Sequence, residues 1–198
     1  MKSILRIILF VCLANVVSAQ QLPLTSQYMF NNYLLNPAEA GSVDYIPITL
    51  SARAQWNGIK GAPKNQFLSA HSKLGKNNGV GGYVYKDETG PISQQGIQLS
   101  YAYHLSINEE AKISFSLAGM LFFYDINRAA LIPDEADDAA LNTLKANSIS
   151  PDINFGILYY TDKYRVGFSS PQLLQNSIYS SAGDINLTKL ARHYYLFG

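Results

Sequence analysis

The stretch SYAYHLSI, Ser100 to Ile107, separates into two sets when every second residue is taken. Tyr101, Tyr103, Leu105 and Ile107 are large and apolar or aromatic. Ser100, Ala102, His104 and Ser106 are small or polar. Successive side chains of a β-strand point to opposite sides, so this is a strand with two unlike faces. Either the large face packs a protein core, or it meets lipid while the small face lines an interior.

The same period extends outward in both directions. ITLSARAQW puts Ile48, Leu50, Ala52, Ala54 and Trp56 on one face and Thr49, Ser51, Arg53 and Gln55 on the other. KISFSLAGMLFFY sets Ile113, Phe115, Leu117, Leu121 and Phe123 against Ser114, Ser116, Ala118 and Met120. NFGILYY and YRVGFSS are shorter runs of the same kind. The pattern predicts about eight strands, and abundant Tyr, Phe, Val and Ile agree with it.

The connections alternate in length. GKNNG, NEEA and TDK are tight turns, with Asn, Asp and Gly as turn formers. NGIKGAPKN, DETGPISQQ and the stretches 125–151 and 171–190 read as long loops. Bacterial outer-membrane barrels have short turns on one side and long loops on the other. A secreted β-sandwich shows the same strand alternation without that asymmetry. Trp56, Tyr83, Tyr85, Tyr101, Tyr103, Tyr159 and Tyr160 lie near strand ends and suit interfacial girdles.

Lys2 and Arg6, the apolar run Ile7–Val17 and the small-residue pattern Val17-Ser18-Ala19 form a secretory signal over residues 1–19. The only cysteine, Cys12, lies inside it, so a cleaved chain has no thiol chemistry. Residues 20–45 are expected to be a periplasmic or plug segment; SQYMFNNYLLNPAEAGS within it has no period of two. Residues 46–198 carry the barrel strands. A formal net charge of +1 gives no basis for nucleic-acid binding.

Little here points to catalysis, and the chain is read as a non-enzyme without cofactor or metal. The three histidines lack metal-ligand spacing, and His104 is expected to hydrogen-bond within the interior. GVGG, Gly79 to Gly82, is not a phosphate loop; its glycines permit close strand approach or bending. The acidic cluster Asp134, Glu135, Asp137 and Asp138 misses the calcium-loop spacing. DDAALNTLKAN, overlapping it, reads as a short helix.

Six segments in order, SQYMFNNYLLNPAEAGS, RAQWNGIKGAPKNQFLSAHSKL, GVGGYVYKDETGPIS, LSYAYHL, SPDINFGILYYTDKYRVGFSSPQLL and RHYYLFG, resemble the PorP/SprF family of type IX secretion membrane proteins of Bacteroidota. The resemblance implies a non-enzymatic outer-membrane barrel in the type IX secretion and gliding-motility machinery. It implies outer-membrane lipid, secretion components, a secreted adhesin or a peptidoglycan-binding periplasmic protein as partners. Asn36, Pro37, Trp56, Gly61 and Pro63 are its signature positions, without an assigned role. Members are typically longer, so the all-β, antiparallel outer-membrane β-barrel is expected to be present here as the N-terminal part of a larger barrel. The alternatives are a closed eight-stranded barrel, a transport barrel for small hydrophobic molecules, to which NPAEAG is loosely similar, and a surface β-protein outside the membrane.

Overall fold

The computed structural model describes residues 31–127, 147–176 and 191–198. Its strands form one antiparallel meander: β1 (Ile48–Ala54), β2 (Lys64–Leu74), β3 (Asn78–Thr89), β4 (Ile92–Ser106), β5 (Lys112–Ile126), β6 (Asn147–Tyr160), β7 (Arg165–Ser170) and β8 (Tyr195–Phe197). Each strand pairs with its sequence neighbour, and the sheet curls into a half-barrel. Among the described residues, β1 and β8 are its two edges.

The curl creates a concave and a convex wall, and their chemistry decides the fold class. Ser69, Gln98, Ser100, His104, Ser114, Ser116, Asp152 and Asn154 are buried on the concave side. Leu50, Leu99, Leu117 and Phe115 stand exposed on the convex side. A water-soluble sandwich would have these the other way round. A continuous exposed apolar wall over a polar interior marks a surface that meets lipid. No helix among the described residues is long and apolar enough to cross a membrane. β4 and β5 have 15 residues each, more than the ~9–11 a tilted strand needs.

SYAYHLSI lies in β4 with the faces read from the sequence. Tyr101, Tyr103 and Leu105 are exposed on the convex wall, and Ser100, Ala102 and His104 are buried on the concave one. Ser106 is exposed because the strand ends there, beyond the covered interior.

Three tyrosines depart from the girdle assignment. Tyr83, Tyr85 and Tyr160 point inward, and Tyr85 and Tyr160 are buried. Side-chain parity, not nearness to a strand end, decides the face. Tyr85 stacks on Phe67 at 5.5 Å between ring centroids and meets Phe122 edge-on, with Met120 completing the cluster. Gly96 beneath makes room: a Cβ there would lie 2.1 Å from the Tyr85 ring.

The segment DETGPISQQ also departs from its reading as a long loop. β3 and β4 stay paired through Asp87↔Gln94, Glu88↔Ser93 and Thr89↔Ile92, and only Gly90-Pro91 turns. Gly90 takes φ +58, which glycine adopts without strain. Ladder hydrogen bonds are made by main chain, so the polar composition of the hairpin does not prevent pairing.

At the other end of the sheet the turns are short. Asn108 Oδ1 accepts the N–H groups of Glu110 (3.0 Å) and Ala111 (2.6 Å). Thr161 Oγ1 does the same for Lys163 (3.2 Å) and Tyr164 (3.0 Å). These side-chain-closed turns are why the sequence reverses within a few residues. The acidic cluster at 134–138 lies outside the described residues. So does the helix read over 137–147, apart from Asn147, which begins β6.

Candidate functional site

Residues 31–42, the plug, lie against the concave wall at its short-turn half. Two 3-10 turns, Asn32–Leu34 and Pro37–Glu39, build it. Asn36 is extended (φ −139, ψ 112), as a residue before proline prefers, and Pro37 starts the second turn with its φ already fixed. The Asn36 side chain caps that turn by accepting the Ala38 N–H at 2.9 Å. Gly41 follows with φ +76 and its backbone packed on β3, a position a side chain could not share.

Asn36 and Pro37 are therefore at the centre of the docked segment. Asn36 is 0% exposed. Its Nδ2 donates to the Ile157 carbonyl on β6 (2.9 Å) and more weakly to Phe168 on β7 (3.4 Å). Tyr33 and Ser100 hydroxyls bond at 2.6 Å, and Ser169 Oγ donates to the Leu35 carbonyl at 2.6 Å. Gly41 N–H donates to His71 Nδ1 at 3.3 Å.

His104 performs the interior role expected of it. One ring nitrogen bonds the Ala40 carbonyl (2.8 Å) and the other the Tyr160 hydroxyl (2.9 Å). A single side chain thus ties the plug to β4 and β6.

The plug fits because the wall beneath it lacks side chains. A Cβ on Gly79 would sit 1.9 Å from Ala40 O; on Gly81, 2.7 Å from Tyr33; on Gly156, 2.0 Å from Asn36 Oδ1. The glycines of GVGG that face inward are a seat for another piece of the same chain.

One buried charge closes the arrangement. Glu39, with a side chain 4% exposed, pairs with Arg165 on β7 at 2.5 Å. Ser42 Oγ donates to the same carboxylate at 2.9 Å. Arg165 also lies 5.7 Å over the Tyr160 ring. Burial pushes the Glu39 carboxyl above its ordinary 4.5, opposed by Arg165 and Ser42. A raised carboxyl favours the seated state most below pH 4.5, and that contribution fades as pH rises through the folded value. The thermal midpoint of the folded wild type should accordingly fall from acid to neutral pH more steeply than that of Glu39→Gln. Tyrosine-fluorescence melts of both at several pH values check this; parallel curves would show that Glu39 does not titrate with seating.

Trp56, Gly61 and Pro63 are not brought to the plug. They lie in the 55–63 loop at the opposite end. Pro63 O accepts the Gln55 N–H (3.0 Å), and Gly61 O accepts the Gly90 N–H (2.8 Å), tying the loop to the β3–β4 turn. Trp56 is 67% exposed with φ +49, a left-handed conformation costing a non-glycine residue about 1–2 kcal/mol.

The sequence reading missed Glu39, Tyr33, His71 and Arg165 as members of this site. Their partners lie 30 to 126 residues away in the chain. A glutamate inside the otherwise uncharged run NNYLLNPAEAGS was the available sign.

An apolar convex wall, a polar concave wall and an interior plug together define a membrane β-barrel protein. The chain matches the family model "Type IX secretion system membrane protein PorP/SprF" over residues 17–198, and it belongs to that family. No curated protein and no solved structure shows significant similarity to it. A membrane protein of this family and fold fits the outer membrane.

Proposed function

We propose that this protein is a non-enzymatic outer-membrane component of the type IX secretion and gliding machinery, inserted after signal-peptide removal, that supports export or surface attachment of secreted proteins such as adhesins. The family match over residues 17–198 carries this reading. The docked plug bears on how it works. With residues 31–42 hydrogen-bonded across the concave wall, the short-turn half is filled, so the barrel acts as a docking scaffold and not as the conduit. Secretion components and a peptidoglycan-binding protein meet it from the periplasm, and Trp56, Gly61 and Pro63 sit at the end that meets the cell surface. A carrier of small hydrophobic molecules needs an open apolar lumen; here the inward apolar residues Phe67, Tyr85, Met120 and Phe122 pack on one another, and Ser69, Ser100, His104, Ser114 and Ser116 line the wall beside them.

Deleting the gene should abolish surface display of adhesins exported by the system while unrelated outer-membrane barrels stay at normal levels. The full chain supplied in trans should restore display. Normal display in the deletion strain would reject the proposal.

A further inference from the structure

The convex wall changes chemistry abruptly toward the long-loop end. Across β1–β5 one row reads Leu50, Leu68, Val84, Ile97, Leu121. The row above reads Ala52, Gln66, Lys86, Gln95, Phe123, and the next Ala54, Lys64, Glu88, Ser93, Asp125. Two residues advance a strand ~7 Å, so apolar wall becomes amide and cation within one row. Two recesses follow this division. An apolar groove of about 450 Å³ lies over Leu50, Leu68, Val84 and Ile97. Above it the 59–62 loop folds against the wall and encloses a cleft of about 610 Å³ containing Lys60, Lys64 and Lys86. Lys86 and Gln95 line both, so the two are continuous.

We propose that this pair of recesses binds a phosphorylated glycolipid of the outer leaflet, with an acyl chain in the groove and a phosphate among the lysines. Glu88 and Asp125 also line the cleft, leaving three cations against two carboxylates. Glu88 holds Lys86 at 2.5 Å and stands opposite Lys64, so it organises the lysines as well as offsetting them. The asymmetry of the wall selects the leaflet. At the short-turn end the convex face presents Tyr103, Leu105 and Phe115, whereas Lys73 and Lys112 have inward parity. Lysines whose stems lie along apolar wall with their ammonium groups at headgroup level suit a fixed phosphate. The leaflet assignment rests on the outer-membrane orientation of the proposed function and is independent of the machinery that the barrel serves.

The test is native mass spectrometry of the purified full chain in detergent with diphosphoryl lipid A, phosphatidylglycerol or phosphatidylcholine. Lipid A should be retained at least tenfold better than phosphatidylcholine. Lys60→Gln/Lys64→Gln should lose that preference, while Lys76→Gln/Lys163→Gln at the short-turn end should keep it. Heat-modifiable gel mobility verifies that each variant is folded. Should the double variant not fold, salt titration of the wild-type complex decides: retention must fall as ionic strength rises. Equal retention of phosphatidylcholine, unchanged binding in the folded double variant, or salt-insensitive binding would overturn the site. Phosphatidylglycerol binding as well as lipid A would overturn the glycolipid assignment.

Discussion

Leu117→Arg is expected to destabilise the folded barrel by about 2–4 kcal/mol, and Leu105→Arg by only about 0–1 kcal/mol. Both residues are exposed on the convex wall, and both replace leucine by the same cation, so depth in the bilayer is the variable. On β5 the outward face runs from Ile113 to Leu121, and Leu117 lies midway, paired with Tyr101 and Phe155. Leu105 is opposite Ile113, one residue from the end of β4, within reach of the short-turn interface. An arginine at mid-depth must thin the bilayer or draw water inward, whereas one near the rim extends its guanidinium to the headgroups. Urea titration of the protein folded into vesicles, followed by heat-modifiable mobility, measures both. Equal costs would mean that the convex wall does not span lipid.

The period of two carried much of this fold. Each strand's faces could be assigned because an outward leucine and an inward serine differ in a way that any local window detects. The error at Tyr83, Tyr85 and Tyr160 came from using position along the strand in place of parity. Tyr83 and Tyr85 flank Val84, so only one set could meet lipid, and the glycines at 79 and 81 share the tyrosines' face. A face that alternates Gly, Gly, Tyr, Tyr is shaped to receive something. DETGPISQQ misled for another reason: its composition is that of a loop, but composition does not report pairing once strands leave the bilayer.

The docked segment was legible only as an exception. Its lack of period two set SQYMFNNYLLNPAEAGS apart from the strand pattern, and Asn36-Pro37 marked a turn. What holds it is distributed over β2 to β7, and no local pattern encodes contacts between Asn36 and Ile157 or Glu39 and Arg165. Such contacts arise from the curl of the sheet, which sequence alternation does not specify.

Gly79→Val should expel the plug while leaving the barrel folded. The added Cβ would stand 1.9 Å from the Ala40 carbonyl oxygen, and the obstacle is backbone on both sides, so no rotamer relieves it. Valine itself suits a strand, so β3 keeps its pairing with β2 and β4. The plug must therefore move. Doing so breaks the bonds of Ala40 to His104, Gly41 to His71, Tyr33 to Ser100 and Asn36 to Ile157. At about 0.5–1.5 kcal/mol each, four such bonds amount to roughly 2–6 kcal/mol, enough to reverse a seating equilibrium. Chymotrypsin reports the result, because the bond after Tyr33 is buried in the seated state. Cleavage there, read by mass, should rise at least tenfold in Gly79→Val. Gly119→Val, on the convex wall with nothing within 4 Å, should cleave like wild type. A Gly79→Val protein that remains protected after Tyr33 would show that the plug can seat without the bare floor of β3, and that inward glycines there serve the sheet instead. If cleavage rises and adhesin display persists, the docked plug is a structural filler; if display fails with a folded barrel in the membrane, the seated plug is the state that the secretion machinery recognises.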